Sequence, residues 1–147
     1  MARYASYFAT AVLGLALTTA CGTTPTGTGG NPTDTITVKT NPSFATDVQG
    51  VFDLTCNTSN CHGVAGFQGN GNLDLRSAGS YTNLVNVMGD QEAIVRVIPN
   101  DANNSYLVIK LEGRQSVGSA MPKGASAISS AAIQNIKNWI NQGAQNN

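Results

Sequence analysis

Seven residues, Cys56-Asn-Thr-Ser-Asn-Cys61-His62, constrain this chain more than any other stretch. Two cysteines are followed at once by the only histidine among 147 residues. The signature for covalent attachment of a c-type haem is a pair of cysteines two residues apart with histidine next. The reason is chemical. Two thiols form thioethers with the two haem vinyl groups, and a histidine on the next residue reaches the iron from the same side. Here the spacer is four residues long. A longer spacer can bulge outward while both sulfurs keep their places. The expectation is one covalent haem c held by Cys56 and Cys61, with His62 on the iron.

Other chemistries of this segment were weighed. Cys56 and Cys61 can pair as a disulfide in an oxidising compartment. A closed zinc site needs four protein ligands, mostly Cys and His, and this segment offers three. A redox dithiol has a two-residue spacer within alternating strands and helices, and neither is present.

The chain opens as an export signal. Met1-Ala-Arg3 gives a short positive start, and an apolar run from Phe8 to Leu17 follows. That run is shorter than the roughly 20 apolar residues a membrane span takes, and it ends at small residues. Cys21 directly after Ala20 resembles a bacterial lipobox, in which the cysteine is lipidated and becomes the mature N-terminus. Thr18 stands where that motif usually has an aliphatic residue; the alternative is ordinary cleavage near Ala20. Three cysteines leave one over after the Cys56/Cys61 pair, and a lipid explains the odd one. Expected boundaries are a lipoprotein signal at 1–20, a tether at 21–43 and a folded domain at 44–147. The tether is rich in Thr, Gly, Pro and Asn, which cannot bury a core. Residues 35–39 alternate briefly, as a short strand would.

The domain of about 100 residues suits a single core. Loss of residues 1–20 removes one of the eight basic residues, Arg3, and none of the eight acidic ones. A near-neutral chain without a basic cluster gives no electrostatic support for nucleic-acid binding.

The apolar pattern predicts helices. Phe44, Val48, Val51, Phe52 and Thr55 share one face of a helix ending at Cys56. Residues 63–80 are loop chemistry, pinned by Leu73 and Leu75. A short helix is expected over 81–88, with Met88 as a core residue at its end. Another is expected over 105–112, capped by Ser105 and stopped by Gly113, with strand as the alternative. The last is the clearest: a Ser129 or Ser130 cap, Ile133, Ile136 and Ile140 on one face, and Gly143 as stop. Gln134, Asn135, Lys137, Asn138 and Asn141 take its polar side, and Trp139 is expected to pack on Phe52.

With these residues placed, the domain resembles the planctomycete-type c-type cytochrome domain within the class I cytochrome c group. The resemblance rests on pieces in order along most of 44–147. They are Phe52 before the attachment motif, Asn72-Leu-Asp-Leu75, Ile98-Pro-Asn-Asp101, Ser105-Tyr-Leu107, Met121-Pro122 and Trp139-Ile-Asn-Gln-Gly-Ala144. The departures are the four-residue spacer and Asn72 where glycine is usual. It implies an all-α, class I cytochrome c-like fold wrapped around one haem, with Met121 as second axial ligand. The residues agree: the sole histidine excludes bis-histidine ligation within one chain, and the mature chain holds only Met88 and Met121.

The function expected is a mono-haem electron carrier of the cell envelope and not an enzyme. It would exchange electrons with redox partner proteins and be anchored through a lipid on Cys21. Gly22 after Cys21 favours the outer membrane by resemblance to lipoprotein sorting. Two rivals stay open. One is a haem module with an open sixth position, for sensing or catalysis. The other is a non-haem lipoprotein with a Cys56–Cys61 disulfide that binds a protein or surface.

Overall fold

The computed structural model describes residues 31–64 and 71–147. The expected signal, Cys21 and the first part of the tether lie outside these residues, as do residues 65–70 of the glycine-rich loop. The described chain is helical and has isolated β-bridges but no strands. Among these residues no helix is long and apolar enough to cross a membrane.

The first helical segment begins with a π-helical turn, Phe44–Val48, and continues as α1, Gln49–Thr55. Its first amides lack partners within the helix. The last residue of the chain supplies them: Asn147 accepts from Phe44 N–H through its side chain (2.9 Å) and from Ala45 N–H through its backbone carbonyl (2.8 Å). Ser43 caps the same end, and its own N–H donates to the Asp47 carboxylate at 2.8 Å. The Lys39 ammonium, 2.5 Å from the Asp47 carboxylate, together with the Ser43 donors, holds that carboxyl below its ordinary value although burial opposes it.

Three further helices follow: α2, Ser80–Leu84; α3, Tyr106–Leu111; and α4, Ser130–Asn141. The short helix expected over 81–88 stops at Leu84. Val85 turns extended, Asn86 adopts φ 59°, and Met88 sits in a bridge to Val95. Met88 is 53% exposed, so it is not the core residue expected from its apolar neighbours. Ser105 precedes α3 but does not cap it. Its hydroxyl donates to Asp101 O (2.7 Å) and accepts from Ile98 N–H (2.9 Å), closing the turn before the helix. The free amides of α3 go instead to the 95–96 backbone: Tyr106 N–H to Val95 O (3.0 Å) and Leu107 N–H to Arg96 O (2.9 Å). Gly113 does end α3, at φ 70°.

Trp139 on α4 meets Phe44 rather than Phe52, with ring centroids 5.1 Å apart. Phe44 in turn meets Phe52 and Tyr81 edge-on, at 6.5 and 5.2 Å. Phe52 also lines the cleft beside Cys56 and His62.

The later part of the segment expected as a tether, residues 31–43, is bonded to the domain. Residues 31–43 lie along α4, and Thr33 is fully buried. Ser129 O–H donates to Thr33 O (2.8 Å), and Thr33 Oγ1 accepts from Ser129 N–H (2.8 Å). The expected strand at 35–39 does not form. Its carbonyls take side-chain amides of α4: Asn135 to Thr37 O (2.9 Å) and Asn138 to Lys39 O (2.7 Å), with Gln142 reaching Thr40 O. Asn135 also accepts from Lys39 N–H at 2.7 Å and is itself buried. The polar side of α4 is therefore a seam between helix and strap rather than a fully solvated face. Asparagine suits it, since its amide offers a donor and an acceptor to an extended backbone.

Candidate functional site

The Cys56–His62 segment sits where α1 stops. The Cys56 and Asn57 amides both donate to Phe52 O, at 2.8 and 2.9 Å, ending the helix in a tight reversal. His62 N–H then returns to Cys56 O (2.9 Å), closing a loop in which Thr58, Ser59, Asn60 and Cys61 are exposed. The four-residue spacer thus bulges into solvent while Cys56 and His62 are drawn together.

One glycine makes this closure possible. A Cβ on Gly63 would stand 2.0 Å from Asn57 O and 2.7 Å from Thr58 O. Both neighbours are backbone, which has little freedom to give way. Gly63→Ala is therefore expected to cost about 3 kcal/mol, the upper end of the usual overpacking range. The check is urea denaturation alongside Gly50→Ala, since nothing lies within 4 Å of a Cβ there. Equal midpoints for the two variants would refute the close-packed loop.

The His62 ring is fixed from behind. Its Nδ1 lies 2.9 Å from Leu73 O, and Leu75 N–H donates to His62 O at 2.8 Å. The Asn72-Leu-Asp-Leu75 element therefore clamps both the ring and the backbone of His62. Asn72 takes φ 51°, a left-handed conformation that asparagine tolerates. A ring with Nδ1–H donating to a carbonyl presents Nε2 as its free lone pair, the arrangement usual for a metal-binding histidine. Burial pushes the His62 pKa down, and the Arg96 and Lys110 cations push it the same way, while the Leu73 carbonyl opposes them. The imidazole is thus neutral and able to ligate at neutral pH.

His62, Cys56 and Met121 all line one cleft, which encloses about 810 Å³ including the part open to solvent. Phe52, Leu75, Leu107 and Ile128 are among its apolar walls. Burial raises the Cys56 pKa, the nearby Cys61 adds to this, and the Thr55 hydroxyl, 3.3 Å from Sγ, partly offsets it. Cys56 is therefore a thiol at neutral pH. Met121 is half-buried and packed against the core. Its N–H donates to Lys110 O at 2.9 Å, which pins the 113–127 loop to the end of α3. Cys61 is exposed and is not part of the cleft lining.

Three cleft residues escaped sequence reasoning: Arg96, Tyr106 and Lys110. All are buried. The signal was present in two of them. Arg96 stands inside Ile94-Val-Arg-Val-Ile98, and Lys110 inside Leu107-Val-Ile-Lys-Leu111. A charge in the middle of an apolar run is seldom buried without a task.

Comparison with family models, with curated proteins and with solved structures finds no match for this chain. The functional argument therefore rests on the site itself.

Proposed function

We propose that this chain is a mono-haem c-type cytochrome with a class I-like helical fold, which carries single electrons at the bacterial cell envelope. One observation carries the reading: His62, with Nδ1 anchored on a carbonyl, shares an apolar cleft with Cys56 and Met121. Haem fits this cleft on the chemistry of its walls. They are largely apolar, they offer one imidazole and one thioether, and they include the Cys56 thiol. The bound haem would supply the one-electron chemistry, cycling between ferric and ferrous states.

The chain's own residues do the rest. Cys56 and Cys61 would hold the group by thioethers. His62 and Met121 would fill both axial positions, and a thioether there raises the potential. Val51, Phe52, Leu75 and Ile136, which line the cleft, would shield the group from water. The proposal includes lipidation of Cys21, which would anchor the domain to a membrane, with the outer membrane favoured. Its partners are redox proteins of the envelope.

Cells exporting the full-length chain with a cytochrome c maturation system should yield a red membrane fraction with sharp ferrous α and β bands. Cys21→Ser should move the colour to the soluble fraction or leave the precursor uncut. A colourless purified protein would sink the haem reading in favour of a non-haem lipoprotein. Equal soluble yields of cleaved wild type and variant would replace the lipid anchor with ordinary secretion.

A further inference from the structure

The polar end of the cleft holds a buried cation with no direct ion pair among the described residues. Lys110 is 93% buried, yet it joins none of the ion pairs among the described residues. Its one hydrogen bond is a long one, 3.5 Å to Gln91 Oε1, and its ammonium lies 5.7 Å from the centre of the Tyr106 ring. Glu92, the nearest acidic influence on it, is held by Val117 N–H (2.7 Å) and Ser116 O–H (3.0 Å) instead. Beside it the Tyr106 hydroxyl is buried with no hydrogen bond of ordinary length among the described residues, and Glu92 is the carboxylate that acts on it. Arg96 completes the group. Its guanidinium donates to Asn83 O and Gly71 O, both at 2.9 Å, which fixes its plane. Its only carboxylate is Asp90 at 3.3 Å, a side chain 42% exposed.

An unpaired buried cation and an orphaned buried hydroxyl are costly. Both residues line a cleft whose other walls, apart from Cys56, His62, Asp90, Gln91 and Arg96, are apolar or glycine. The missing partner is therefore an anion joined to a large apolar body, and a small inorganic anion would leave those walls without use. We propose that Lys110, Arg96 and the Tyr106 hydroxyl bind the two propionate carboxylates of the haem, which sets which edge of the group enters the cleft. The inference rests on the haem reading. It matches two carboxylates with two cations and gives the Tyr106 hydroxyl an acceptor. Asp90, which also accepts from the Asn72 amide at 2.8 Å, would hold Arg96 in place until a propionate takes over that contact. Gly118 keeps the space open, since a Cβ there would stand 3.0 Å from Gln91 Oε1 and 3.4 Å from Lys110 Nζ.

The test uses the full-length chain with its haem attached. Resonance Raman spectra report the propionate bending modes, which move when a hydrogen bond to a carboxylate is lost. Lys110→Gln, Arg96→Gln and Tyr106→Phe should each shift the band at unchanged haem content. Lys137→Gln should leave it in place, since Lys137 pairs with Glu112 at 2.8 Å outside the cleft. Lys110→Arg should retain the wild-type band. If a glutamine variant fails to fold, Tyr106→Phe removes one oxygen only and decides the matter. An unmoved band in Tyr106→Phe and the glutamine variants that fold, or an equal shift in Lys137→Gln, would overturn the propionate assignment while leaving the haem in place. Wild-type protein that holds no haem would overturn the proposed function itself.

Discussion

The full-length chain, matured with haem, is expected to keep its colour through denaturation and acid–acetone extraction, and Cys56→Ser/Cys61→Ser is expected to lose all of it to the organic phase. Each attachment adds a thiol S–H across a vinyl double bond, sulfur to one carbon and hydrogen to the other. No atom is lost, so the intact mass should equal the processed chain plus one haem. Each single serine variant should leave one thioether. The structure gives the two sulfurs unequal starting points: Cys56 is at the cleft wall, while Cys61 lies on an exposed bulge. Cys61 would have to turn toward the cleft for the second bond to form. Wild-type protein with a single thioether would show that four spacer residues hold Cys61 out of range. Complete loss of colour from wild type would end the covalent reading.

Met121→Ala is expected to have the largest effect on the iron. With the thioether gone, the ferric methionine-to-iron charge-transfer band should vanish, the reduction potential should fall, and carbon monoxide should bind the ferrous form readily. Stability should drop by about 2 kcal/mol, the low end for methionine truncation, because the side chain is only half-buried. Met88→Ala is the control. Met88 is exposed, so its loss should change stability by no more than about 0.5 kcal/mol and leave the band intact. A band that survives Met121→Ala but not Met88→Ala would reverse the assignment. Rapid carbon monoxide binding by wild type would favour a haem module with an open sixth position over an electron carrier.

How much of this was legible in the sequence depended on how local the cause was. The helix bearing Val48, Val51 and Phe52, and the last helix with Ile136 and Ile140, followed from period alone, because one apolar face must find a core. The Ser129 cap and the Gly113 and Gly143 stops were legible for the same reason: each acts within one turn. What was not legible depended on partners distant in sequence. Asn135 reads as a solvated helix residue, and only the strap some 96 positions away turns it into a buried seam. Met88 has apolar neighbours but is turned outward by the bend at Asn86. At the site, Cys56, Cys61 and His62 stood out by spacing alone, and the fold brings Cys56 and His62 to one cleft but leaves Cys61 outside its lining. Lys110, Arg96 and Tyr106 come from two segments that meet only in the fold, so their shared cleft was not visible in either one.

The strap along α4 also sets a leash. If lipid holds the chain at Cys21, the first described residue bonded to the domain is Asn31, whose side-chain amide donates to Ala127 O, ten positions on. Ten residues span at most about 35 Å when fully drawn out, where a tether running to residue 43 would allow about twice that. Reach of this order is little more than the roughly 30 Å hydrocarbon core of a bilayer. A carrier so restrained would not roam the periplasm. It would patrol a shallow layer above its own membrane, and its encounters would become a search in two dimensions among neighbours at the same height.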